Sequence, residues 1–373
     1  MRGHISERRP GVFRLVVSDG FGPDGKRRQH VKTLHGSKRD AERALRKMLD
    51  DRDEGRLGDG RQPLQLYLGE WLDGVSVTST RGKPLAPTTR QRYREACRHV
   101  SAHIGKVKLS ELRPVQVEKT RDALLADGLG PQTVSDVLRV LSQALSRAEA
   151  RGLVGRNPAA PELVHRPVGE RVSFQVIDAA LGGKILEAAS GTDPWDAAAH
   201  LALGLGLRRE EVLGLRWEDV DDAVHVRRTL TAADGAFHFG PPKSAAGRRD
   251  LPMPGFVARA LHRHRLEQSE RLLGLGIRPE LVVCNPIGEP FQPATFSGMW
   301  KDWADGHGLA GITFHGLRHG AATLLLAAGV PDTVAMRTMG HADTRILARY
   351  QDVVSELQRD AADRMDKLLG REA

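Results

Sequence analysis

The sequence predicts a mainly α-helical chain with small β-sheets, an α+β organisation in three folded parts. Three observations carry that reading. Apolar residues recur at helical spacing, as at Val134, Val137, Leu138, Leu141, Ala144 and Leu145. Strand-turn-strand patterns come in short runs, near the N-terminus and around Asp234-Gly235. The 373 residues are long for one core, and two Gly- and Pro-containing stretches offer places to divide them.

Residues 1–58 form the first part. Gly11 to Ser18 reads as a strand, Pro23-Asp24-Gly25 as a turn and Arg27 to Leu34 as a second strand. Ser37 then caps a helix running through Ala41, Leu45 and Met48. Arg14, Lys26, Arg27, Arg28 and Lys32 gather on the strands and turn. Such a cluster is commonly a solvated face; its functional alternative is a DNA-binding surface.

Gly55 to Pro63 reads as a linker, and residues 64–153 as a helical block. Pro87 precedes Thr88 or Thr89, which opens a helix to about Ile104. Leu112 to Leu125 is the next, with Pro114 near its first turn, where a missing N–H costs nothing. Gln132 to Ala150 carries the apolar stripe, a core face. Arg90, Arg92 and Arg94 are candidates for phosphate contacts, although their spacing lets only part of the set face one partner. Residues 154–172, with Asn157-Pro158 and further prolines, read as a second linker.

The third part covers 173–373. Trp195 to Leu205 reads as an apolar helix and Arg208 to Leu215 as the next. Ala223 to Leu230, Ala236 to Phe239 and Arg248 to Met253 read as three strands. Pro254 to Leu273, Ala294 to His307, Leu317 to Ala328 and Thr333 to Met339 read as helices.

Fifty-six Lys and Arg against 47 Asp and Glu leave a net charge of +9, which fits a polyanionic partner. Cys97 and Cys284 are too few for a disulfide framework, and no CxxC spacing points to zinc. No metal or cofactor is expected. No apolar run reaches membrane-spanning length, so no membrane partner is expected and the location is expected to be cytoplasmic.

One constellation closes the chain: His315-Gly316-Leu317-Arg318-His319, then Met339-Gly340-His341, then Tyr350. Upstream lie Gly206-Leu207-Arg208-Arg209-Glu210-Glu211 and Pro242-Lys243. Two arginines can pair phosphate oxygens as planar forks. A tyrosine can attack phosphorus and store the broken bond as an ester. A lysine can protonate a departing alkoxide, which Arg248 and Arg249 cannot easily do at neutral pH. Gly204 and Gly206 do not make a dinucleotide loop, because Arg209 stands where the third glycine belongs.

On these motifs the segment from about Ser173 onward resembles the catalytic domain of the tyrosine recombinases, the phage-integrase family. Residues 64–153 resemble its helical core-binding domain. Residues 1–58 match, by size, position and composition, the N-terminal domain that integrases use for arm-type DNA sites. The resemblance assigns Arg208 and Arg318 to the phosphate, Glu211 to orienting site groups and Lys243 to protonating the 5′ oxygen. It assigns His315 to hydrogen-bonding the phosphate and assisting proton transfer, His341 to bracing it, and Tyr350 to the attack. Leu205, Glu210, Gly316 and Gly320 depart from the family's usual residues, and none removes a catalytic group.

The resemblance implies site-specific recombination on double-stranded attachment sites by a homo-tetramer, through a Holliday junction, in a bacterial host. Host DNA-bending and directionality factors are further expected partners. Alternatives are a chromosome-dimer resolvase or transposon recombinase of the same fold, a type IB topoisomerase, and a non-catalytic DNA-binding protein on a decayed integrase fold. The apolar residues Val353, Val354, Leu357 and Met365 after Tyr350 imply a short helix that docks on a neighbouring protomer or on its own domain.

Overall fold

A computed structural model describes residues 3–21, 27–53, 61–77, 84–169 and 175–340. The turn Pro23-Asp24-Gly25, Lys26, most of the first linker, Ser173, His341, Tyr350 and the tail beyond lie outside the described residues. The chain divides into two units, Met1–Arg171 and Val172–Ala373.

The first unit opens with strands β1 (Gly3–Arg9), β2 (Val12–Phe21) and β3 (Arg27–His35), followed by helix α1 (Lys38–Asp53). The strands form one antiparallel sheet in the order β1-β2-β3, so a strand precedes the two that the sequence pattern shows. Phe13, Leu15 and Val17 alternate inward and pack with Ala41 and Met48 of α1. Ser37 caps α1 as expected: its Oγ accepts from Asp40 N at 3.2 Å, and Ser37 N donates back to the Asp40 carboxylate at 3.2 Å.

The register separates two of the basic residues. Arg14 lies opposite Ser6 and Thr33, on the face turned away from α1. Lys32 lies opposite Leu15, on the helix side, exposed because β3 is an edge strand. Arg14 and Lys32 therefore do not share one face. Arg27 and Arg28 lie on β3.

Helices α2 (Leu64–Val77), α3 (Pro87–Ile104), α4 (Pro114–Ala126) and α5 (Pro131–Ala150) follow. Pro87, Pro114 and Pro131 each occupy a first helical turn, where the ring fixes a helical φ. The α5 stripe is core: Val134, Val137, Leu138, Leu141, Ala144 and Leu145 are buried with Leu64, Leu68 and Trp71 of α2. Tyr67 is buried too, and its hydroxyl donates to Ala144 O at 2.7 Å. Burial pushes its phenol up to about 12. The Tyr93 ring stacks on Trp71 at 5.5 Å and its hydroxyl reaches Gln143 at 2.9 Å. Arg90, Arg92 and Arg94 are all exposed on α3.

The stretch after α5 begins as part of the bundle rather than as a free connection. Val154, Ala159 and Val164 join its core. Asn157 donates to Ser142 O and to Ser146 Oγ, each at 2.9 Å, and accepts from Ala159 N at 2.9 Å. A turn-forming Asn-Pro pair is thus satisfied inside the protein.

The second unit contains α6 (Ala179–Ala189), α7 (Trp195–Ala199), a π-helical turn at His200–Gly204, and α8 (Arg209–Gly214). Strands β4 (Ala223–Val226), β5 (Thr229–Ala233), β6 (Ala236–Gly240) and β7 (Arg249–Pro252) come next. Helices α9 (Gly255–Gly274), α10 (Pro293–Gly306), α11 (Phe314–Ala327) and α12 (Asp332–Met339) complete it. Trp195, Phe296, Trp300 and Phe314 meet at ring separations of 5.0–5.4 Å in its core. Each such pair adds about 1 kcal/mol beyond area burial.

Two sequence expectations are corrected here. Ala223 to Leu230 is not one strand. It breaks at Arg227-Arg228, and β4 pairs with β7 while β5 pairs with β6, giving two two-stranded sheets. Arg227 turns to Asp250 at 2.6 Å and Arg228 to Glu218 at 2.9 Å, so ion pairs hold the break. The apolar helix expected at Trp195 to Leu205 is α7 plus the wider π turn. No helix among the described residues is long and apolar enough to cross a membrane.

Candidate active site

The chain leaves the π turn through Gly206, whose φ of +65° is a left-handed conformation open to glycine. A Cβ there would also lie 2.4 Å from Met339 Sδ, so the backbone must pass bare against α12. Arg208 follows in extended conformation as the residue before α8. Its N–H donates to Glu211 Oε2 at 2.9 Å, and its Nη1 to Glu211 Oε1 at 2.7 Å. Arg209 points elsewhere, to Ser297 Oγ at 2.8 Å and Glu210 at 2.7 Å.

Helix α12 ends at Gly340, which takes φ +62° and returns its N–H to Arg337 O at 3.1 Å. The last carbonyls of a helix have no partner inside it and carry its negative end. Here three successive ones each receive a guanidinium. Arg249 Nε donates to Thr338 O at 2.7 Å, Arg318 Nη2 to Met339 O, and Arg208 Nη2 to Gly340 O at 3.1 Å. His341, outside the described residues, is the next residue in sequence.

Glu211 stands among the same three cations. It is 1% exposed and pairs with Arg249 through both oxygens, at 3.2 and 3.0 Å. Arg318 Nη1 lies 4.0 Å from it and also donates to Gly206 O. Burial alone would raise the Glu211 pKa. Hydrogen bonds and charge from Arg249, aided by Arg208, outweigh it and hold the carboxyl below its ordinary value.

Arg318 is buried on α11, and His315 lies in the first turn of the same helix. Thr313 caps that helix, accepting from Gly316 N at 3.0 Å, so glycine at 316 leaves the cap intact. Gly320 sits too close to Ile177 for a side chain, a Cβ falling 2.9 Å from the Ile177 Cβ. The His315 ring meets His319 edge-on at 4.8 Å. Displaced water and the charges of Arg318, Arg208 and Arg209 lower its pKa against the opposing pull of Glu210. Lys243 is exposed in the loop between β6 and β7.

The structure thus brings Arg208, Glu211 and Arg318 into one network, with His315 at its edge. Lys243 lies on a loop whose far end, through Gly247 and Arg249, joins that network. Arg249 is the residue that sequence reasoning passed over. The signal was present: Arg249 and Leu251 alternate with Asp250 in β7, and a strand that buries Leu251 buries Arg249 as well.

Residues 183–356 match the model of the phage integrase family, and that span includes Arg208, Lys243, His315, Arg318, His341 and Tyr350. An integrase of Saccharopolyspora erythraea is 26% identical, with 95% of this chain and 94% of that protein covered. The Tn1549 transposon integrase in complex with transposon right end DNA superposes with a TM-score of 0.66 at 18% identity, over 80% of this chain and 100% of that one. A lambda integrase tetramer bound to a Holliday junction gives 0.56 at 18% identity, over 91% and 96%. The helical fold with small sheets is the one these integrases share, and residues 183–356 belong to the tyrosine recombinase (phage integrase) family.

Proposed function

We propose that this site-specific recombinase integrates and excises a phage or other mobile element, with the arginine network as its phosphate cradle. The observation that carries the reading is the placing of Arg208, just before α8, and Arg318, on α11, on neighbouring carbonyls at the end of α12. Guanidiniums held in advance stabilise charge that grows on a pentavalent phosphorus without reorganising during the step.

In this reading the Tyr350 oxygen bonds to the scissile phosphorus and gives up its phenolic proton, for which neutral His315 is the acceptor. The bond from phosphorus to the 5′ oxygen breaks, and that oxygen takes a proton from Lys243. His341 braces the phosphate. The product is a 3′-phosphotyrosine and a free 5′ hydroxyl, which then attacks the partner strand's phosphotyrosine. Tyr67, buried and hydrogen-bonded, and Tyr93, stacked and hydrogen-bonded, are poor alternatives as nucleophile, which supports Tyr350.

Double-stranded attachment sites are the proposed substrate, a homo-tetramer the working assembly, and host bending and directionality proteins the accessory partners. Arg90, Arg92 and Arg94 are proposed to contact core-site phosphates, and Arg14, Lys26, Arg27, Arg28 and Lys32 a second class of site.

The test is a covalent-adduct assay. Nicked duplexes from DNA flanking the gene are incubated with the protein and with Tyr350→Phe, in EDTA, and resolved in SDS. An adduct with the unmodified protein alone is expected. An adduct that persists in Tyr350→Phe refutes the nucleophile assignment.

A further inference from the structure

Arg249 lies between the lysine loop and the phosphate cradle, and it bonds to both. On the loop side, its Nη1 donates to Gly247 O at 3.0 Å. On the cradle side it pairs with Glu211 through both oxygens and donates to Thr338 O. It is 7% exposed, so these bonds form away from competing water.

The loop itself is tightly closed. Gly247 N donates to Ser244 O at 3.0 Å and Arg248 N to Ala245 O at 3.1 Å. Gly247 packs so near Pro242 that a Cβ would fall 2.7 Å from the proline Cβ. Lys243 and Ser244 are carried between Pro242 and Gly247. The Ala246 carbonyl and the Arg249 guanidinium also press on Gly340, each within 3.0 Å of where a Cβ would stand. One buried cation therefore fixes the end of the loop, the carboxylate that holds Arg208, and the helix end that receives Arg208 and Arg318.

We propose that Arg249 is a positioning residue that sets the Lys243 loop in register with the Arg208–Arg318 cradle. It does not touch the phosphate; it acts through Gly247 and Glu211. This rests on the assignment of Lys243 as the acid for the 5′ oxygen. Lysine in place of Arg249 keeps the charge but loses the planar fork that binds a carboxylate and two carbonyls together. The loop is then released while a cation stays beside Glu211.

The leaving group separates this role from a merely structural one. A 5′-bridging phosphorothiolate leaves as a thiolate, which needs no proton, so a defect in acid positioning disappears with that substrate. Arg249→Lys, Arg249→Gln and Lys243→Ala are compared on ordinary and phosphorothiolate nicked duplexes, with melting and core-site binding measured alongside. Arg249→Lys is expected to bind DNA within about threefold of the unmodified protein. Its adduct formation should be slower by roughly tenfold or more on the ordinary duplex and nearly normal on the phosphorothiolate, the general-acid share being of that order or larger.

Rescue of Lys243→Ala without rescue of either Arg249 variant overturns the inference alone. Failure to rescue Lys243→Ala overturns the acid assignment, and the inference with it. An undiminished ordinary reaction in Arg249→Lys also overturns it. If both Arg249 variants lose their cooperative melt while Lys243→Ala keeps it, Arg249 is a stability residue and the inference fails.

Discussion

Arg208 and Arg318, 110 positions apart, donate to adjacent carbonyls, Gly340 O and Met339 O, at the C-terminal end of one helix. The helix end orients two cations that repel each other, and Glu211 beside them offsets part of that repulsion. The proposed phosphate cradle is therefore held by the protein's own groups before any phosphate arrives.

Preorganisation makes the fork geometry more important than the charge. Arg318→Lys and Arg208→Lys keep a cation but lose the second parallel donor. Each is expected to slow adduct formation by roughly a hundredfold or more, the usual cost of losing a donor aimed at developing charge. Core-site affinity, spread over many phosphates, should change by less than about tenfold. Single-turnover cleavage and gel-shift titration measure the two separately. Equal losses in both would assign these arginines to binding rather than to the transition state.

Glu211 should give the second unit a pH-dependent stability whose sign follows from its environment. Its pKa is lower in the fold than in the unfolded chain, so the unfolded chain takes up the proton first. The stabilisation is fully present above the ordinary carboxylate value of about 4.3 and is lost as pH falls toward the folded value. Glu211→Gln should destabilise the protein by about 3 kcal/mol at neutral pH, because Arg249 stays buried without its counter-charge. Urea melts of both proteins between pH 3 and 7 test this. The difference between them should shrink as pH falls; a constant difference would trace the acid sensitivity to other groups.

His315 should titrate below the ordinary histidine value of about 6.5, since displaced water and then the arginines disfavour its charged form. The neutral ring, able to accept a proton, then persists to lower pH. NMR titration of its imidazole, identified by the signal missing from His315→Gln, reads the midpoint directly. A midpoint above 6.5 would mean that Glu210 outweighs the guanidiniums.

Much of the site could be read in the sequence because its groups are chemically distinctive and closely spaced. His315 and Arg318 sit one turn apart, and Arg208 and Glu211 share the start of a helix. Arg249 could not be separated from Arg248 by residue type. Only the strand alternation, which buries one and exposes the other, tells them apart. The pairing of the sheets is hidden in the sequence for a related reason. A run of β-forming residues from Ala223 to Leu230 does not show that Arg227 and Arg228 prefer ion pairs with Asp250 and Glu218 to continued strand pairing. The first strand, Gly3–Arg9, lacks the apolar alternation that makes β2 visible. Asn157-Pro158 reads as a turn in the sequence, and its buried amide, satisfied by Ser142 and Ser146, leaves no local pattern.

The N-terminal sheet offers a test in which register decides the outcome. Arg14 lies on the face away from α1, beside Ser6 and Thr33, whereas Lys32 lies on the helix side at an edge. If the sheet meets duplex DNA through the face turned away from α1, Arg14 can reach a phosphate and Lys32 is turned from it. Removing one cation that neutralises a phosphate reduces the slope of log affinity against log salt by about one. Arg14→Ala is then expected to flatten that slope by about one for DNA bound through the N-terminal part, and Lys32→Ala to leave it nearly unchanged. Binding isotherms across a salt series, on DNA lacking the core site, make the comparison. Equal flattening by both would place the DNA along the β3 edge, where residues of both faces can reach it. No flattening by either would make the basic cluster a solvated surface, the commoner fate of such clusters.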